Sequence, residues 1–357
     1  MIEFRNVEKR YPDGTLAVER LNLEIPFGKT TVFVGPSGCG KTTSLRMINR
    51  MIAPSSGQIM IDGTDAAQIN TGELRRSIGY VIQNAGLFPH RTVLQNIMTV
   101  PRLNGVPKAQ AAERARLLMH TVGLDESFAN KFPTQLSGGQ QQRVGVARAL
   151  AAEPSVLLMD EPFSALDPIV RTELQDEFMR LGAELGTTIV FVTHDIDEAV
   201  KVGDRIAVFA KGGQLAQFDT PAKILTQPAN QFVADFVGRD RGYRGLSFAG
   251  DAALVATPVA SVRVDHAPTP GNPRDWVVLC DAADRTLGWM RREDPPRLES
   301  AYGSAAVYRS GDSMRVILDA VLMSPSGRAV HVDEARRPLG SVGIEELVAA
   351  GLTRARA

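Results

Sequence analysis

The sequence predicts an α/β fold built on a largely parallel sheet, and three segments predict it: GPSGCGKTT at 35–43, LSGGQQQR at 136–143 and VLLMDEP at 156–162. In the first, the apolar run Thr31-Val32-Phe33-Val34 enters a glycine-rich loop and leaves as a helix near Lys41, the strand, loop, helix order of the pattern G-x-x-x-x-G-K-[ST]. In the third, Val156 to Met159 are all apolar, which suits a strand buried on both faces. Such a strand delivers Asp160 and Glu161 to the carboxyl edge of a parallel sheet, where these sheets hold their ligands.

Each segment has its own chemistry. Gly35, Gly38 and Gly40, with Pro36, Ser37 and Cys39 among them, form a loop whose backbone N–H groups can wrap a polyphosphate. Lys41 is placed to reach β and γ phosphates and the Thr42 hydroxyl to ligate Mg²⁺, while Thr43 completes the phosphate-binding set. The helix N-terminus adds partial positive charge, and each charge-assisted contact contributes roughly 1.5 to 3 kcal/mol. Asp160 is placed to hold the Mg²⁺ shell, and Glu161 to orient or deprotonate a water attacking the γ phosphate. His194 follows another apolar run, Thr188 to Val192, so it should reach the same edge and contact the γ phosphate. Cys39 reads as a loop residue and not as a nucleophile.

Ser137-Gly138-Gly139-Gln140 opens the helical pattern Gln141 to Ala152, a second helix N-terminus aimed at phosphate. It resembles the signature of ATP-binding cassette (ABC) ATPases. The resemblance implies that the signature faces the phosphate loop of a second copy, so that two ATP molecules are sandwiched in a catalytic dimer. It also implies, along residues 1–240, that Tyr11 stacks on adenine and that Gln83, after the strand Ile78 to Ile82, is the glutamine loop reporting to a membrane permease. Ser164-Ala165-Leu166-Asp167 becomes the dimer loop, with Asp167 beside the nucleotide. With ATP and Mg²⁺ as cofactors, the implied catalytic set is Lys41, Gln83, Glu161 and His194, and the implied metal ligands are Thr42, Gln83 and Asp160.

Composition agrees with this picture. The 357 residues are 44% hydrophobic, enough for two domains, and 40 basic against 40 acidic side chains give no net charge, which does not favour nucleic acid as a partner. Two cysteines, Cys39 and Cys280, leave no disulfide framework and point to a reducing compartment. No apolar run approaches the roughly 20 residues that cross a bilayer, and Met1 to Val7 alternates as a strand does instead of reading as a signal peptide. Membrane association is therefore expected through partner subunits.

Residues 85–152 carry helical patterning, including Lys108 to Val122, and are expected to form a helical subdomain. In the ABC family its early part, here Asn84 to Val100 with Gly86-Leu87-Phe88-Pro89, forms the cleft for a cytoplasmic helix of the permease. Ala222 to Leu225 and Phe232 to Gly238 close the first domain near residue 240, and 241–250 reads as a charged linker. Residues 251–357 then hold a repeat: Asp281, Arg285, Leu287 and Gly288 recur 52 positions later as Asp333, Arg337, Leu339 and Gly340. Each copy reads as strand, turn, strand, and Ser313 to Met323 has helical apolar spacing before the second.

A helix, a strand hairpin and a closing helix given twice resembles a tandem pair of cystathionine-β-synthase-type (CBS) modules. In the first copy Pro268, Pro270, Gly271 and Pro273 occupy the helix position, so that helix is lost or displaced. The positions that hold ribose in nucleotide-binding members are Arg291 and Asp294 in the first copy and Gly343 and Glu346 in the second. These residues weaken adenosine binding and favour a dimerisation or sensory surface. An ABC ATPase followed by a CBS pair, with strings such as Arg46 to Arg50, Leu74 to Gln83, Gly86 to His90 and Val237 to Arg241, resembles the ATP-binding subunit of bacterial osmoprotectant importers for glycine betaine, carnitine, choline or proline betaine. That resemblance implies a peripheral protein on the cytoplasmic face of the cell membrane, joined to permease subunits and indirectly to an extracytoplasmic solute-binding protein. An ABC importer for another solute, such as an amino acid, and a soluble ABC ATPase remain as alternatives.

Overall fold

Alternation of buried and exposed residues builds the first layer. β1 (Ile2–Arg10) and β2 (Leu16–Ile25) pair antiparallel and turn Ile2, Phe4, Leu23 and Ile25 inward. The chain crosses to a second sheet at β3 (Thr30–Val34), turns through 35–40 and enters α1 (Lys41–Ile48). β4 (Ser56–Ile61) and β5 (Thr64–Asp65) return to the first layer, whose order is β2-β1-β4-β5. The computed structural model describes residues 1–82, 86–164, 167–252, 254–302 and 306–354.

α2 (Thr71–Ser77), capped by the Asn70 side chain, leads to β6 (Ile78–Val81), one residue shorter than the sequence suggests. Next come α3 (Val93–Ile97), α4 (Thr99–Leu103), α5 (Lys108–Thr121) and α6 (Gly138–Leu150). They occupy the stretch where the helical subdomain is expected. β7 (Val156–Asp160), α7 (Pro168–Leu185), β8 (Thr188–Val192), α8 (Ile196–Val202), β9 (Arg205–Ala210) and β10 (Gln214–Asp219) follow, with α9 (Pro221–Thr226) and α10 (Gln231–Val237) at the end.

The second sheet has the order β10-β9-β3-β8-β7-β6 and is parallel except at β10. Its central strands are buried on both faces, and the period of two sorts them. Val32, Val34, Leu157, Met159, Ile189 and Phe191 meet the cluster that includes the helical residues Val144, Ala147 and Leu174. Phe33, Leu158, Val190 and Val192 meet a cluster that joins Phe4 and Leu21 of the antiparallel layer with Leu45 of α1. Each such side chain contributes roughly 1.5 to 3 kcal/mol by leaving water.

Contacts divide the chain into Met1–Arg239 and Asp240–Ala357. The second unit begins with α11 (Arg241–Gly245) and a 3-10 turn at Leu246–Phe248, so the segment 241–250, expected to run as a linker, carries helix. Tyr243 there hydrogen-bonds Asp319. Two three-stranded sheets follow, β11 (Ser261–Arg263), β12 (Trp276–Cys280), β13 (Thr286–Arg291) and β14 (Val307–Tyr308), β15 (Arg328–Val332), β16 (Pro338–Gly343).

In both, the first strand is parallel to the second and the second antiparallel to the third. Register repeats as well, Trp276 facing Arg291 and Arg328 facing Gly343. In each hairpin the aspartate accepts from the arginine's backbone and Nε, at 2.9 and 2.7 Å for Asp281–Arg285 and 2.8 and 2.8 Å for Asp333–Arg337. Val278, Cys280 and Trp289 share a core with Val330 and Val332.

The helices do not repeat. α12 (Met314–Met323), capped by Ser313, and α13 (Ile344–Arg354) belong to the second copy. The corresponding first-copy segments hold turns around Pro268, Pro270 and Pro273 and a 3-10 turn at Leu298–Ser300. Proline removes a donor and clashes with the preceding helical turn, which accounts for the missing entry helix; the closing helix expected of each copy is likewise present only once among the described residues.

Leu158 is fully buried in β7. Leu158→Ala is expected to lower unfolding free energy by about 2 to 5 kcal/mol, read from urea denaturation followed by circular dichroism.

Candidate active site

The sheet's carboxyl edge gathers the residues that the sequence scattered over 160 positions. β3 ends at Val34 and the loop winds through glycines at positive φ, 150° at Gly35, 75° at Gly38 and 93° at Gly40. At Gly40 the requirement is strict: a Cβ would lie 2.2 Å from the Ala17 carbonyl oxygen. α1 then starts without a side-chain cap, so its first N–H groups face the loop. Lys41 is buried, and its Nζ donates to the carbonyl oxygens of Gly35 at 2.7 Å and Pro36 at 3.0 Å. Burial pushes the Cys39 thiol up, against the pull of the neighbouring Lys41 charge, which keeps it a thiol and inert.

From β7, Asp160 arrives buried and accepts from the Thr42 hydroxyl at 2.8 Å. Its other oxygen accepts from Arg46 Nη2 at 3.3 Å. Arg46 lies one turn beyond Thr42 on α1, an i,i+4 relation that could have exposed its role from sequence. Glu161 follows with φ of 47°, the left-handed region that costs a non-glycine residue about 1 to 2 kcal/mol. Its N–H donates to the Val192 carbonyl of β8 at 3.0 Å, so the turn is fixed by the neighbouring strand. The same strand carries His194, whose Nδ1 lies 3.3 Å from Glu161 Oε1.

Tyr11 stands at the end of β1's run, its hydroxyl 3.4 Å from Thr43 Oγ1. Ser137 caps α6, accepting from the Gln140 N–H at 3.3 Å while Gln140 Oε1 accepts from the Ser137 N–H at 2.9 Å, a reciprocal capping box. Ser137, Gly138, Gly139 and Gln140 line a cavity of about 590 Å³ together with Asp167, Val170 and Arg143, and none of the phosphate loop lines it. Asp167 opens α7, its Oδ1 accepting from the Val170 N–H at 3.1 Å. Within this chain Tyr11, the phosphate loop, Asp160, Glu161 and His194 come together, and the signature with Asp167 forms a second group. Gln83, Asn84, Ala85, Ala165 and Leu166 lie outside the described residues.

Hard oxygen donors suit a small divalent cation, and the Thr42 hydroxyl with the Asp160 carboxylate is such a pair. Among the described residues no group of three His, Cys, Asp or Glu side chains could hold a metal, so the fit rests on that pair. Sequence reasoning assigns no site role to Arg46, although its i,i+4 spacing from Thr42 was available, nor to Thr193, Gln175 and Glu198 behind His194, which nothing in residue type or spacing marks.

Gly40→Ala combines left-handed strain with contact on backbone. It is expected to weaken nucleoside triphosphate binding at least about tenfold, measured by titration with a fluorescent nucleotide.

The family model for the ABC transporter matches residues 18–164. Carnitine transport ATP-binding protein OpuCA of Listeria monocytogenes is 54% identical over 241 residues, 68% of this chain and 60% of that protein. The chain therefore spans less than two thirds of that relative's length. Osmoprotectant import ATP-binding protein OsmV of Salmonella typhimurium is 40% identical across 99% of this chain and 98% of its own length. Among solved structures, the dimeric post-hydrolysis state of the ATP-binding cassette MJ0796 bound to ADP and Pi superposes with a TM-score of 0.57 at 36% identity, covering 62% of this chain and 99% of that one. With this likeness over its full length, and the phosphate loop, Asp160, Glu161 and His194 at one sheet edge, the chain belongs to the family of ATP-binding proteins of ABC transporters.

Proposed function

We propose that the chain is the ATP-hydrolysing subunit that energises import of a quaternary-amine osmoprotectant through a membrane permease. The observation that carries the hydrolase reading is the convergence of Thr42 with Asp160 and of Glu161 with His194 beside the buried Lys41. The solute class rests on the relatives named for carnitine, choline and glycine betaine transport, and on the full-length likeness to OsmV.

Lys41, already desolvated, exchanges carbonyl partners for phosphate oxygens, which are stronger acceptors. The loop N–H groups and the α1 N-terminus hold the remaining negative charge. Mg²⁺, held by Thr42 and Asp160 with Gln83, neutralises phosphate charge when bound. Glu161 orients the water and takes its proton, and His194 contacts the γ phosphate. Tyr11 stacks on adenine. Because Ser137 to Gln140 and Asp167 line a cavity apart from the phosphate loop, they serve the nucleotide of a second copy, and two chains make two composite sites.

No helix among the described residues is long and apolar enough to cross a membrane. The chain works on the cytoplasmic face through integral-membrane permease subunits, with a solute-binding protein acting indirectly and no nucleic acid involved. Residues 251–357 form the tandem CBS-like pair: the repeated strand order, register and Asp–Arg turns support this. Glu346 is held by Arg328 at 2.8 Å and by the Gly343 N–H at 2.9 Å, which favours a sensory or dimerisation surface over ribose binding.

The test is ATP turnover by the full chain with its copurifying permease in liposomes, with binding protein and glycine betaine added or omitted; turnover indifferent to betaine rejects the solute class. Glu161→Gln is expected to lower turnover about 10²-fold or more while nucleotide binding persists. Near-normal hydrolysis in that variant removes Glu161 from its role.

A further inference from the structure

Behind the Glu161–His194 pair lies a small polar cavity of about 60 Å³, walled by Glu161, His194, Thr193, Arg171 and Glu198. Glu198 is a half-buried carboxylate on α8 that no step above employs. Its Oε1 accepts from Gln175 Nε2 of α7 at 3.0 Å, and Gln175 is itself buried. Thr193 lines the same cavity beside Glu198.

Thr193 is a buried side chain immediately before His194, and its Oγ1 accepts from the Asp195 N–H at 3.0 Å. Asp195 in turn caps α8, accepting from the N–H groups of Asp197 at 2.8 Å and Glu198 at 3.3 Å. The residues on both sides of His194 are thus tied into one small network, while the imidazole itself is exposed. The far end of the network is α7, whose first turn is capped by Asp167.

We propose that Glu198 is a positioning residue that, tied by its carboxylate to the Gln175 amide and by its N–H to Asp195, fixes the turn carrying His194 against Glu161, and so makes hydrolysis depend on the placement of α7 and Asp167. The inference rests on the hydrolase reading above. It requires Glu198 as a hydrogen-bonding group and not as a charge. Burial pushes its carboxyl up and the Asp195 carboxylate adds to this, against the nearby Thr193 hydroxyl, the hydrogen bond from Gln175 and the positive Arg171. A neutral side chain of the same shape should therefore serve.

Steady-state ATP turnover by the full chain is compared for the unmodified protein, Glu198→Ala, Glu198→Gln, His194→Ala and the His194→Ala/Glu198→Ala double variant. Glu198→Ala is expected to lower kcat about tenfold, the scale of a lost hydrogen bond, with KM changed less than about twofold. Glu198→Gln should restore kcat to within about threefold. His194→Ala is expected to cost about 10²-fold, and adding Glu198→Ala to it should cost nothing more, because the two act through one group. Losses that multiply, a loss carried by KM alone, or no loss in Glu198→Ala overturns the proposal. If Glu198→Ala does not fold, Gln175→Ala breaks the same link and is held to the same outcomes.

A readout independent of turnover separates this proposal from the hydrolase reading. The chain has five histidines, so the His194 ring resonances are assigned by their loss in His194→Ala. Glu198→Ala should shift them and Glu198→Gln leave them nearly in place; unmoved resonances in Glu198→Ala overturn the positioning role even if the chain hydrolyses nothing.

Discussion

The structure depends on one constraint, that β3, β7 and β8 are buried on both faces. A strand with no wet side accommodates charged residues poorly along its length, so they collect where it ends. In this chain the ends of all three strands fall on the same edge, because β3 lies parallel to β8 and β8 to β7. The phosphate loop, Asp160 with Glu161, and His194 meet for that reason and not because of any attraction between them. The antiparallel layer on one face and the helices on the other exclude water from the sheet, and thereby hold the strand register on which the meeting depends.

Within that edge, precision comes from short polar links and from one strained residue. Thr42 and Arg46, one helical turn apart, grip both oxygens of Asp160, so α1 and β7 cannot shift independently. Glu161 takes a left-handed conformation and is fastened by its N–H to Val192. That strain is about 1 to 2 kcal/mol, small against the burial of β7, and it aims the carboxylate at His194 instead of continuing the strand. The Thr42–Asp160 link is partly buried, where a hydrogen bond is worth more than a surface ion pair.

The second unit separates what a repeat preserves from what it discards. Strand order, register and the Asp–Arg turn are the same in both copies, since each hairpin needs its turn and the two sheets share the core around Trp289 and Val330. The flanking helices are kept once. An entry helix survives only where its chain can supply backbone donors, and the prolines at 268, 270 and 273 remove them in the first copy.

Legible in the sequence were the phosphate loop, the buried strands, helices within 85–152, the 52-residue repeat and the delivery of Lys41, Thr42, Asp160, Glu161 and His194 to one sheet edge. Apart from the repeat, which emerges from matching segments 52 residues apart, these were legible because glycine placement, apolar runs and spacing are local properties. The expected linker at 241–250 and the closing helix of the first copy were misread because charge and analogy say little about packing. Only the tertiary structure decided that Arg46 shares Asp160 with Thr42, that Ser137 to Gln140 lie with Asp167 apart from the phosphate loop, and that Glu198, Gln175 and Thr193 stand behind His194. Each of these is a contact between elements, set by strand order and helix packing, and an ordinary glutamate, glutamine or threonine leaves no mark of it in the chain.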